Sequence, residues 1–110
     1  MGLLAKILIS AVAVIISAYL IPGVGVDSIL TAIIVAIVLG LLNAIVKPIL
    51  VILTIPVTIL TLGLFLLVIN VIIIYLADYL VPGFSVSGFF AALFFSIVLA
   101  IVGWILDSIF

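Results

Sequence analysis

Four long apolar runs, separated from one another by proline or glycine, constrain this chain more than any other feature in it. The runs cover roughly residues 3–21, 29–46, 57–80 and 89–109. The outer breaks are Pro22-Gly23-Val24-Gly25-Val26-Asp27-Ser28 and Pro82-Gly83-Phe84-Ser85-Val86-Ser87-Gly88. Between them lie Lys47-Pro48 and Thr54-Ile55-Pro56. Proline resists helix continuation, and Pro-Gly pairs mark turns. A helix of about 20 apolar residues crosses the roughly 30 Å of hydrocarbon in a bilayer. Apolar residues make up 73% of the chain and charged residues 5%, too few to build the polar shell of a soluble fold. A membrane barrel would alternate polar and apolar positions, and no such alternation occurs, so helices are the remaining way to span. The expected fold is all-α and transmembrane, a single integral membrane domain over residues 1–110.

The chain also repeats itself at an offset of sixty residues. Tyr19-Leu20-Ile21-Pro22-Gly23 matches Tyr79-Leu80-Val81-Pro82-Gly83, and Ile37-Val38-Leu39 matches Ile97-Val98-Leu99. Val or Leu alone would match by chance in so apolar a chain; the Tyr-Leu-x-Pro-Gly signature in register with the triplet would not. Each copy holds two spans, so both enter the membrane in the same direction. This predicts a four-helix bundle of two parallel two-helix repeats, related by a pseudo-twofold axis along the membrane normal. Repeat 1 covers about residues 1–47 and repeat 2 about 57–110. A kinked connector, PILVILTIP, fills 48–56 with Pro48 and Pro56 as its kinks.

Small residues recur along the second helix of each copy: Ala32, Ala36, Gly40 and Ala44, then Ala92, Ser96, Ala100 and Gly103. In lipid, helices associate through close packing rather than the hydrophobic effect, and small residues four apart permit that approach. The second and fourth spans are therefore expected to meet along these stripes. Lys47 and Asp107 continue the two stripes at equivalent positions, which suggests an ion pair, within one subunit or between neighbours. Asn70 is the most polar group deep in a span and should face protein or water. Asn43 lies nearer the interface. Pro22-Gly23 and Pro82-Gly83 make the outer turns.

Orientation rests on Lys6 and Lys47, which fall on one side of a four-span arrangement. The positive-inside rule places that side, with both termini, in the cytoplasm. Tyr19, Tyr79, Phe84 and Phe89 then form an outer aromatic belt, and Trp104 and Phe110 an inner one. The first span is expected to be retained, because Pro-Gly follows it rather than a small-residue cleavage site.

Catalytic chemistry has little to work with. The chain has no cysteine and no histidine, which removes disulfides and the usual thiolate and imidazole metal sites. Asp27, Asp78 and Asp107 all stand at span ends, where capping and solvation account for them. The glycine-rich loops lack a phosphate-binding lysine, and no basic patch offers itself to nucleic acid. No enzyme, cofactor or metal is expected, and the principal partner is the lipid bilayer.

The segment LLNAIVKPILVILTIPVTILTLGLFLLVIN, followed by YLVPGFSVSGF, resembles the four-span phage holin superfamily IV of small bacterial membrane proteins. Asn43, Lys47 and Pro48 form one element of the resemblance; Thr61 to Leu64 with Asn70 form another. The resemblance covers nearly the whole chain. It implies a four-helix protein of the bacterial inner membrane, holin-like, with a homo-oligomeric, pore-forming or membrane-permeabilising activity. Holins open lesions that release a cell-wall-degrading enzyme. Many carry a basic C-terminal tail, and this chain departs from that pattern. The alternatives are a non-lytic structural or envelope-stress membrane protein acting through partners, and a small channel or transporter. The resemblance implies no catalytic or ligand-binding residues.

Overall fold

Lipid supplies no hydrogen-bond partners, so each apolar run closes its backbone bonds on itself as a helix. The computed structural model describes residues 2–110. The elements are α1 (Leu3–Leu20), β1 (Val24–Val26), α2 (Ile29–Leu53), α3 (Ile55–Leu60), α4 (Phe65–Leu80), β2 (Phe84–Val86) and α5 (Phe89–Ile109). α1, α2 and α5 are long and apolar enough to cross a membrane, and α4 is a shorter apolar helix of 16 residues. The protein is an integral membrane protein.

The helices form a four-membered ring. α1 packs against α2 and α5, and α4 packs against the same two. α2 and α5 therefore stand across the bundle from each other and make no substantial contact among the described residues. This corrects the expectation that the second and fourth spans meet along their small-residue stripes. Ala32 and Ala92 are buried, but Gly40, Ala44 and Ala100 are exposed. The physical reason lies in how the core is filled. Val35 and Leu39 of α2 and Phe95 of α5 are buried in one cluster with Ile69, Ile73 and Ile74 of α4. These large side chains pack each helix against its ring neighbours.

The two Pro-Gly loops pair with each other. β1 and β2 form an antiparallel ribbon with Val24 opposite Val86, Gly25 opposite Ser85 and Val26 opposite Phe84. Beyond it, the Asp27 amide donates to the Gly83 carbonyl at 3.0 Å, and the Ser87 amide to the Gly23 carbonyl at 2.7 Å. Gly23 and Gly83 both take positive φ, +90° and +89°, where a side chain is strained. The Asp78 carboxylate accepts from the Val86 amide at 3.1 Å and ties the ribbon to α4. Phe84, expected in an aromatic belt, instead points into the core against Phe95; Tyr19 and Tyr79 remain exposed.

Residues 48–64 differ most from expectation. α2 runs through Pro48 to Leu53, so the connector's first half belongs to that helix. The helix ends at Thr54, whose hydroxyl donates to the Leu50 carbonyl at 2.7 Å. Pro56 opens α3, where a missing N–H costs nothing, rather than kinking a helix. The third span, expected to be the longest, is interrupted. Gly63 N–H donates to the Thr58 carbonyl and Leu62 N–H to the Ile59 carbonyl, the paired bonds of a Schellman helix end. Leu62 sits at φ +56° in the left-handed position usually given to glycine. The Thr61 hydroxyl donates to the Val57 carbonyl and accepts from the Phe65 amide, joining the two helices across the break.

One core position carries an unspent polar group. Ser17 on α1 is completely buried, and its hydroxyl has no hydrogen-bond partner. Ala77, sixty residues on, is equally buried with only a methyl. Ser17→Ala is therefore expected to be stabilising by about 1 kcal/mol, since it removes an unsatisfied buried hydroxyl without opening a large cavity. SDS-induced unfolding in mixed micelles would read the shift.

Candidate functional site

The bundle is sealed at the ribbon end and open at the other. Phe84, Val81 and Phe95 are all nearly or completely buried behind the ribbon. Toward the opposite end, no described residue from Gly2 to Ser10, from Asn43 to Leu60, or from Leu99 to Phe110 is buried. That end holds both lysines, Lys6 and Lys47, and Asp107.

A cleft of about 180 Å³ opens there between α1, α2 and α5. Its polar lining is Ser10, Asn43 and Asp107, one residue from each helix. Helical periodicity brings the rest of the wall with them. Ala36, Leu39, Gly40 and Asn43 lie at i, i+3, i+4 and i+7 on one face of α2, while Leu99, Gly103 and Asp107 are four apart on α5. The predicted packing residues Ala36, Gly40 and Gly103 thus share a surface, but they border a space instead of touching. A Cβ added at Gly40 or Gly103 would meet nothing within 4 Å. Ser96 is half-buried, and its hydroxyl donates to the Leu93 carbonyl at 2.8 Å.

Within one chain, Lys47 and Asp107 are not joined. No ammonium comes within 4.0 Å of a carboxylate among the described residues. The cause is the ring order, which puts α2 and α5 on a diagonal. Asn70 is half-buried on α4, and its i+3 and i+4 neighbours Ile73 and Ile74 are core residues, so it faces the bundle. Asn43 is exposed at the cleft. Sequence reasoning passed over Ser10 as a lining residue. Its alignment with Asn70 was the available signal, since both place a polar group at the same depth of equivalent helices.

A larger groove of about 390 Å³ lies near the ribbon, lined by Ile15, Tyr19, Val24, Val26 and Ile29 among others. Its hydroxyl from Ser28 already serves Thr31 as a helix cap. The smaller cleft carries the uncommitted polar groups and is the better candidate. No group of three or more acidic, histidine or cysteine side chains is placed to hold a metal ion among the described residues.

Residues 1–105 match the family described as mycobacterial 4 TMS phage holin, superfamily IV. The chain belongs to this holin family. An uncharacterized protein of Streptomyces coelicolor is 47% identical over 83 residues, covering 72% of this chain and 66% of that protein. The uncharacterized membrane protein YvlD of Bacillus subtilis is 40% identical over 97 residues, covering 87% of this chain and 82% of YvlD. No solved structure matches the chain. The holin-family match ends at residue 105, so it takes in Ser10, Gly40, Asn43 and Gly103 of the cleft and stops two residues short of Asp107.

Proposed function

We propose that this holin-family protein acts as a homo-oligomer that permeabilises the bacterial inner membrane, with four spans, both termini cytoplasmic and no enzymatic activity. The observation that carries the reading is the family match over residues 1–105. Lys6 and Lys47 share the open end of the bundle, which supports that end as cytoplasmic. Two parallel repeats, about 1–47 and 57–110, are the architecture we favour. The ribbon register supports it: pairing is centred on Gly25 and Ser85, and the flanking bonds from Asp27 and Ser87 are equivalents sixty residues apart.

The side chains packed behind the ribbon fill the single bundle, so a conducting path is proposed to form between subunits. Ala44 and Ala100 are small, exposed and outside the cleft lining, and can serve that contact. Ala44→Leu with Ala100→Leu is expected to leave the subunit folded, because both sites face outward, and to reduce crosslinked oligomer several-fold in native membranes. Unchanged crosslinking would remove these positions from the interface. Controlled expression tests the activity itself. Induction should collapse the membrane potential and stop growth. Normal growth with an intact potential would overturn the lytic reading in favour of a non-lytic membrane protein acting through partners, a reading that the sealed ribbon end supports.

A further inference from the structure

We infer that the open-end cleft binds an organic ammonium group carried on a small apolar body. The inference does not depend on membrane permeabilisation. Three oxygen-bearing side chains from three helices, Ser10, Asn43 and Asp107, border one cavity. None of the three makes a side-chain hydrogen bond or ion pair within the chain among the described residues. Asp107 supplies the only formal charge in the lining.

The chemistry of the lining narrows the ligand. An anion would be repelled by Asp107. A divalent cation such as calcium takes about six to eight oxygen ligands, and one carboxylate with an amide and a hydroxyl falls well short. An ammonium needs far less: one carboxylate as counter-charge and one or two further oxygens as acceptors. Ala13, Leu39 and the bare backbones at Gly40 and Gly103 offer a narrow apolar slot beside those oxygens. Its volume of about 180 Å³ suits an aryl or short alkyl group, since a cavity of about 150 Å³ admits benzene. Asp107 is exposed on the last turns of α5, so the charge binds at the mouth and the apolar body lies inward. Lys6 does not supply the ammonium. It lines an adjoining groove between α1 and α2 that shares Ser10, Ala36 and Gly40 with the cleft, and it stands farther than 4.0 Å from any carboxylate.

Two sources present this group: a soluble amine, or the ethanolamine headgroup of a phospholipid. The test uses the full chain in dodecyl maltoside micelles, with benzylammonium as probe and uncharged ethylbenzene as its isostere. Isothermal titration calorimetry reads the binding, because Trp104, the chain's single tryptophan, lies outside the cleft lining. A saturable change with the cation is expected. Asp107→Asn should weaken it about tenfold or more through loss of a charge-assisted contact. Gly103→Leu should fill the slot and abolish binding while the SDS unfolding midpoint stays put, because its side chain enters open space. Asp27→Asn, which removes the same charge at the ribbon end, should leave binding unchanged. No saturable binding, equal affinity in Asp107→Asn or Gly103→Leu, or equal binding of ethylbenzene would overturn the inference. If binding holds, competition by added phosphatidylethanolamine but not phosphatidylglycerol names the lipid headgroup as the source. Absence of competition names a soluble amine.

Discussion

Phe95→Ala is expected to cost about 3 kcal/mol of stability, the low end of the range for truncating a buried phenylalanine. Phe95 is completely buried, and its ring lies 5.6 Å from that of Phe84 at a 51° tilt. Truncation removes the dispersion contacts of the ring and an aromatic pair worth about 0.5–1.5 kcal/mol beyond area burial. The low end applies because the unfolded helices remain in lipid, where the transfer term is small and packing supplies most of the difference. Phe84 belongs to the ribbon, so the loss also loosens the seal between the Pro-Gly loops and α5. Phe94→Ala provides the contrast. Phe94 is exposed and stacks only on its neighbour Phe90, so its truncation should stay within about 0.5 kcal/mol. SDS unfolding midpoints of the two variants would settle the comparison, and equal shifts would refute the placement of the core.

That pair of phenylalanines also shows why sequence reading goes only so far here. In water, the buried face of a helix is marked by apolar residues against a polar background. In lipid the outward face is equally apolar, so Phe94 and Phe95 look alike on paper. The rough positions of α1, α2 and α5 were legible, because lipid demands long apolar runs and Pro-Gly pairs stop them; the third run breaks into α3 and α4 instead of forming one long helix. Which face turns inward was not. Ala32 and Ala92 of the stripes are buried, yet the same periodicity suggests that Gly40 touches α5, and it borders a cleft instead. Small residues mark places where helices can approach; large neighbours such as Leu39 and Phe95 decide whether they do.

The break at Thr61 to Leu64 was hidden for a different reason. Its glycine is single and its left-handed residue is a leucine, so no Pro-Gly pair or polar cluster marks it. The candidate site was partly legible. Asn43 and Asp107 stood out as polar residues in an apolar chain, and the structure places both on one cavity. Lys47 had been paired with Asp107 from symmetry alone. Symmetry-equivalent positions on two diagonal helices need not be close, and the ring order could not be read from the repeat.

The second large effect is expected at the ribbon. Gly83→Ala should cost about 2 kcal/mol or more, from two additive causes. Gly83 has φ +89°, and an L-residue there carries a penalty of about 1–2 kcal/mol. Its new Cβ would also stand 2.9 Å from the Asp27 carboxylate and 3.0 Å from the Thr31 hydroxyl. The Thr31 hydroxyl is hydrogen-bonded to Ser28 and does not retreat without loosening that contact, and the Asp27 Cβ, 3.3 Å from the new atom, is held by the backbone bond from the Asp27 amide to the Gly83 carbonyl. Gly23→Ala meets the mirrored situation at φ +90°, with the Ser87 side chain and Ala91 in the way. If two parallel repeats govern the fold, the two substitutions should cost similar amounts. Each should also loosen the same ribbon, so the double variant should cost less than their sum, the mark of two changes acting on one element. Gly88→Ala, where a Cβ meets nothing within 4 Å, is the control and should be near neutral. The measurement is the unfolding midpoint together with amide hydrogen exchange at Asp27 and Ser87, whose N–H groups bond across the paired loops. Faster exchange in both single variants with slow exchange in Gly88→Ala is the expected pattern. A benign Gly83→Ala would show that the paired loops do not hold this end of the bundle closed.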